Sequence, residues 1–347
     1  MKKLGVLGTL VLLAAASRAA DEPKKIPPMP VAVTSNAVAV VRDGLEIYSL
    51  MGMGPRKTWD DVTNRIYVLD LAHPKWREGK TVPGAAGRLG ASAAGIKGFI
   101  ILMGGYVLDS QSELIVIPDV NVYEPSAHRW SRAQDIPTPV DSAVVGVVHD
   151  RFVYLVGGRS PNGPTNIVQV YDIQKNAWAQ ATPFPGTPVF GQAGGIDDNE
   201  IVVIDGAKAG LTGGPRYLAS DECWLGKIDK KDPYKIEWTR IPAHPGPARF
   251  GIAGGSGGRD HRIFFTGGTT TPHDYKGASY DGQPTEVSEF TFAYETHGHK
   301  WETASETNDD PRADSRGIVM TRIGPLVIGG LVKNLAVTQR LTQVERK

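Results

Sequence analysis

Apolar runs that end in glycine punctuate this chain about every fifty residues, and most are followed some twenty residues later by a tryptophan. The fullest copies are Phe99-Ile100-Ile101-Leu102-Met103-Gly104-Gly105, with Trp130 downstream, and Phe152-Val153-Tyr154-Leu155-Val156-Gly157-Gly158, with Trp178. Residues 263–268 with Trp301 and residues 326–330 repeat the first half. Residues 47–54 with Trp76 and 201–206 with Trp238 are degraded copies. Apolar runs this short read as strands buried on both faces. Paired glycines end them where a side chain would strike adjacent backbone or where φ turns positive. A Tyr-Asp segment then predicts a third strand, and the tryptophan opens a fourth, its ring wedged between neighbouring sheets. Counting the last glycine of each copy (Gly54, Gly105, Gly158, Gly206, Gly268 and Gly330) predicts six small sheets.

The order strand, Gly-Gly, Tyr-Asp, Trp is best kept in Val170-Tyr171-Asp172 through Trp178 and more loosely around Tyr123 and Leu69. It resembles the kelch repeat over almost the whole mature chain. The expected fold is all-β, a single six-bladed kelch-type β-propeller over residues 30–347. Only seventeen residues follow Gly330, enough for one strand near 336–344. The N-terminal segment 30–34 is therefore expected to supply the outer strand that completes the last blade, closing the ring and removing its open edges.

Composition fits: 41 glycines and 25 prolines suit many turns, and no stretch has a sustained helical period. The net charge is +1 with both signs interspersed, so no basic stripe recruits nucleic acid. Met1-Lys2-Lys3, an apolar core over 4–16 and small residues to Ala20 read as a signal peptide, residues 1–20, too short to span a bilayer. Residues 21–29 read as a flexible leader. The expected location is periplasmic or secreted, with no membrane association after cleavage. Cys223 is the only cysteine, which excludes an intramolecular disulfide; beside Trp224 in a strand it reads as buried and inert.

Ligands of propellers sit on loops at the mouth of the central channel. Arg88, Arg249 and Arg316 precede innermost strands, with Asp141 among them, and converging guanidinium forks would hold an anionic ligand, a carboxylate above all. The same arginines could instead pair with carboxylates and carbonyls between blades, and the sequence leaves both readings open. A second candidate set lies on two long insertions, 205–216 and 269–283, the latter with His273 and Tyr275. His297-Gly298-His299 reads as a solvated turn. A copper oxidase of the galactose oxidase type is excluded, because no Tyr-His neighbour pair accompanies Cys223, and no cofactor is expected.

Among kelch proteins the chain resembles the secreted bacterial N-acetylneuraminate epimerases, through its signal peptide, six blades and insertions after blades four and five. The local match is Ile204-Asp205-Gly206-Ala207-Lys208-Ala209-Gly210-Leu211. The resemblance implies a proton-accepting Glu and a partner Arg here, but this chain has Ala207 and Thr212 at those places. Mutarotation needs a base for the anomeric hydroxyl and an acid for the ring oxygen, and alanine is neither. Asp205, Lys208 and Arg216 are the catalytic candidates that remain nearby. The expectation is a sugar-binding propeller for a small anionic sugar or glycan, with mutarotase-like activity and, by the resemblance, a homodimer. The alternative is a non-enzymatic propeller that binds a protein or polysaccharide through Tyr106, Phe190, Tyr217, Tyr275 and Tyr280.

Overall fold

The computed structural model describes residues 26–305 and 310–344. The expected signal peptide, 1–20, and the leader up to residue 25 lie outside the described residues. Six antiparallel sheets follow one another along the chain. Blade 1 is Ala37–Val41, Glu46–Leu50, Ile66–Asp70 and Lys75–Glu78; blade 2 is Ser92–Ile96, Phe99–Met103, Val120–Glu124 and Arg129–Arg132. Blade 3 is Val144–Val148, Phe152–Val156, Val168–Asp172 and Ala177–Ala181; blade 4 is Ala193–Asp197, Glu200–Ile204, Cys223–Ile228 and Ile236–Arg240. Blade 5 is Ala253–Ser256, Arg262–Thr266, Thr291–Glu295 and Lys300–Ser305, and blade 6 is Ile318–Thr321, Gly324–Ile328 and Leu341–Gln343. No α-helix occurs among the described residues. The chain is a six-bladed β-propeller.

The first strand of each blade lines the axis, and its composition follows from crowding there. Gly95 lies so close to blade 1 that a Cβ would run into the Val40 carbonyl oxygen. Each second strand is almost wholly buried between neighbouring blades, as with Ile201, Val202, Val203 and Ile204. The glycine pair that ends it has positive φ at both positions, for example 64° and 98° at Gly157 and Gly158. At Gly267 a Cβ would collide with the Arg312 carbonyl of the next blade. In the two degraded copies the first glycine is replaced by Met51 and Asp205, both still left-handed (φ 59°). The counterpart in blade 1 is thus Met51-Gly52 rather than Gly54, which lies farther along the loop and packs on Asp61.

The outer-strand tryptophans hold adjacent blades together. Trp130, Trp178, Trp238 and Trp301 donate their indole N–H to Lys80, Gln134, Thr182 and Pro242, each just past the outer strand of the preceding blade. Trp76 of blade 1 donates in the same way to Pro27 (2.9 Å), so residue 27 occupies that place for blade 6. The remainder of the segment runs as an inter-blade connection. Met29 N–H bonds Gln339 O (2.7 Å), Val33 N–H bonds Thr338 O (3.1 Å) and Gly330 N–H bonds Val33 O (2.8 Å). Residues 30–34 are therefore the crossover from blade 6 to blade 1, not the outer strand expected for them. The N-terminal segment joins the ends of the ring, and the end of the expected leader is docked: Met29 is buried with Val319, Leu326 and Ile328 of blade 6 and Ile47 of blade 1. The C-terminal strand is also split, into Ala336–Val337 and Leu341–Gln343.

Candidate site at the channel mouth

Where each blade hands over to the next, one residue adopts a left-handed conformation: Ser35, Gly90, Ser142, Gly191, Gly251 and Asp314, with φ from 53° to 66°. These six encircle the axis. Gly90 N–H bonds Ser35 O, Ser142 N–H bonds Gly90 O, Gly251 N–H bonds Gly191 O, Asp314 N–H bonds Gly251 O, and Ser35 N–H bonds Asp314 O, at 2.7–3.3 Å. Just outside, the preceding residue of each blade bridges to the residue after the glycine pair: Thr34 to Met53, Leu89 to Tyr106, Asp141 to Arg159, Phe190 to Ala207, Phe250 to Thr269 and Ala313 to Leu331. Side chains after the glycine pairs are thereby presented around the mouth.

Arg316 spans the axis. Its guanidinium pairs with Asp314 (2.7 Å) and donates to Ser142 of blade 3 (2.8 Å) and Ser35 of blade 1 (3.3 Å). Asp314 also accepts the Thr34 and Ser35 hydroxyls. Above this plug opens a cavity of about 1110 Å³, and below it the narrow channel between the first strands holds about 330 Å³. The upper cavity is lined by three guanidinium groups, Arg159, Arg216 and Arg316. Arg159 pairs with buried Asp141 (2.9 Å); burial opposes its charge, but Asp141 outweighs burial and raises its pKa. Arg216, exposed on the blade 4 insertion, lies over the Tyr217 and Tyr280 rings, with no carboxylate partner among the described residues.

Aromatic rings make the floor. Phe190 contacts Tyr217 and Phe250 edge to face, Tyr217 contacts Tyr280, and Phe250 contacts His273, with centroids 4.6–5.4 Å apart. Burial raises the Tyr280 pKa to about 12, so its hydroxyl keeps its proton. Burial also lowers the His273 pKa, and its Nδ1 has no protein partner. The other acidic groups of the mouth are engaged or solvated. Asp141 and Asp314 are ion-paired, Asp274 caps the Lys276 amide (2.8 Å), and Glu113 is exposed on the blade 2 hairpin.

Of the residues expected at the site, Arg216, His273, Tyr275 and Arg316 line the mouth, and Asp141 lies behind it through Arg159. Arg88 and Arg249 do not reach it. Both are buried inside blades, and burial lowers each pKa to about 10. Arg88 bonds Asn121 and Asp119, whereas Arg249 donates to Gly267 O (2.8 Å) and Ser288 Oγ (2.9 Å) and stacks on Phe290 and Phe292. Their counterpart in blade 6 is Arg312, equally buried and bonded to Gly329 O. Asp205 is also structural. From the first-glycine position it turns into the joint between blades 4 and 5, accepting the Arg249 amide (2.8 Å) and facing His244 Nε2 (2.9 Å). Lys208 is not among the residues lining the mouth; its hairpin contributes Ala209, Arg216 and Tyr217. Cys223 is buried, and burial raises its pKa to about 12, as an inert thiol requires. Sequence reasoning missed Arg159, and its signal was its place directly after Gly157-Gly158.

Comparison with known proteins fits the fold. A model of the kelch motif matches residues 142–185, which span blade 3. This chain carries a kelch motif. It is 26% identical over 294 residues to the N-acetylneuraminate epimerase of Haemophilus influenzae strain 86-028NP, covering 72% of each chain. The epimerase of Pasteurella multocida is also 26% identical, over 305 residues, with 76% of this chain and 75% of that one covered. Kelch-like protein 15 of Gallus gallus is 28% identical over 152 residues, covering 44% of this chain and 30% of that one. The solved structure of YjhT superposes with a TM-score of 0.73 at 19% identity, covering 91% of this chain and 95% of that one. The chain is thus a six-bladed β-propeller that carries a kelch motif in blade 3 and is similar in sequence to N-acetylneuraminate epimerases. The Ala207 methyl packs with Phe190 and Phe250 in an apolar cluster.

Proposed function

We propose that this propeller binds a small monoanionic sugar acid in the loop-side mouth and interconverts its anomers, as an exported protein carrying residues 1–20 as its signal. The observation that carries the reading is the charge balance of the mouth: three guanidinium groups, two of them paired with carboxylates, and one, Arg216, held only against aromatic rings. A ligand carboxylate completes Arg216 with a charge-assisted, fork-like contact. The apolar face of a sugar ring stacks on the Tyr217–Tyr280 pair. His273 accepts the anomeric hydroxyl proton while Tyr280 protonates the ring oxygen, so the ring C–O bond breaks as the carbonyl forms. Reclosure on the other face returns both protons, and nothing is consumed.

The test is NMR of freshly dissolved, anomerically pure sialic acid with and without protein. Faster equilibration is expected; unchanged equilibration would remove the catalytic half of the reading. Arg216→Ala is expected to weaken binding about 10- to 100-fold, since a hydrogen bond to a charged group contributes roughly 1.5–3 kcal/mol. It should leave the unfolding midpoint unchanged. The rim also exposes Trp59, Ile115, Leu211 and Leu218, which favours a protein ligand as the second reading. Absence of sugar binding by the wild type would turn the assignment to that one.

A further inference from the structure

The end of the propeller opposite the mouth carries a cluster that the sugar site does not use. Asp198 sits in the turn between the first two strands of blade 4, and His261 in the matching turn of blade 5. His297 lies in the last turn of blade 5. We propose that Asp198, His261 and His297 form a site for a divalent transition-metal ion of the zinc class, joining blades 4 and 5. One ligand atom from each residue lies within 4.8 Å of the others. The two imidazoles lie face to face with centroids 3.8 Å apart, which brings two turns of one blade to a single point. The His261 ring is anchored, because its Nδ1 faces Asp197 Oδ2 at 3.2 Å and that oxygen also accepts the Thr296 hydroxyl (2.7 Å). Asp198 and His297 are exposed, and the His297 ring stacks on His261.

Tetrahedral zinc with bonds near 2.0–2.1 Å sets its ligands about 3.3 Å apart, so closure draws in the exposed Asp198 carboxylate and swings the exposed His297 ring out of its stack on His261. Two imidazoles with one carboxylate suit zinc, nickel or copper, whereas calcium and magnesium prefer oxygen alone. Three protein ligands leave the fourth position for water. The charges around the turns favour a cation. Asp197, Glu200 and Glu295 lie close by, while Lys227 and His299 face Glu200 and Lys300 faces Glu302. The buried trio Asp205, Cys223 and His244 is the weaker candidate, since its carboxylate already accepts the Arg249 amide and faces His244.

The experiment is calorimetric titration of the tag-free protein with zinc chloride, together with melting curves at rising zinc. One-to-one binding is expected, with a melting temperature that climbs with zinc concentration. Asp198→Asn and His297→Ala should each weaken binding at least about ten-fold while melting like the wild type without metal. Magnesium chloride should give no heat, and His299→Ala should bind as the wild type does. Absence of binding at millimolar zinc would overturn the site. So would unchanged affinity in both variants, or loss of binding on Cys223→Ser instead.

Discussion

Replacing His273 by glutamine is expected to slow protein-catalysed anomer exchange about 10²- to 10⁴-fold, the usual contribution of a positioned general base, with sugar-acid affinity held within a few-fold. Glutamine keeps a polar side chain of similar reach but cannot hold a proton. The measurement is exchange spectroscopy of the two anomers, with binding followed separately by calorimetry. A variant that exchanges at the wild-type rate would remove His273 from the chemistry and leave the binding site standing. The pH profile is a second check. Burial lowers the His273 pKa first; Arg316 and Lys57 push it the same way, against Asp314 and Asp274. The imidazole is therefore neutral, and able to accept a proton, at pH 7. The rate should be flat above neutrality and fall only as pH drops below the ordinary histidine value of about 6.5. A profile that falls between neutrality and about pH 10, well short of the Tyr280 pKa of about 12, would point to a different group.

Arg249→Ala is expected to cost about 3–5 kcal/mol of stability, read as the shift in a urea unfolding midpoint. The guanidinium is fully buried, lies over the Phe290 and Phe292 rings, and donates to the Gly267 carbonyl and the Ser288 hydroxyl. Truncation leaves a cavity and takes the guanidinium donor from the Gly267 carbonyl, while the half-buried Ser288 hydroxyl keeps the Phe290 amide (3.2 Å). Arg216→Ala supplies the contrast, because it should affect ligand binding and leave the unfolding midpoint alone. Equal stability of the Arg249 variant would contradict the assignment of that arginine to the blade interior.

The blades were legible because their marks follow from backbone geometry. Paired left-handed positions after a buried strand call for glycine, and a tryptophan in every outer strand but the last can reach the preceding blade. The exceptions follow the same geometry: Met51 and Asp205 keep the left-handed backbone without its signature residue, which is why blade 1 was counted from the wrong glycine. The arginines were harder, since their distance from the first strand decides where they point. Arg88 and Arg249 lie four residues before that strand and turn into the blade, while Arg316 lies two before and crosses the axis. In a chain read residue by residue all three precede a first strand, and only the left-handed residue between the two positions separates inward from axial. Asp205 misled for a related reason, since its place beside the insertion suggested chemistry whereas its backbone turn aims it into the joint with blade 5.

The bond from Trp76 to Pro27 repeats what four other neighbouring pairs of blades do with an internal connection. Geometrically, residues 27–33 and blade 6 meet at a seam held by hydrogen bonds and packing, so the ring of blades is opened at this one non-covalent joint. Moving that opening to the turn after another outer strand, with a short linker across the present seam, would keep the same six-membered annulus.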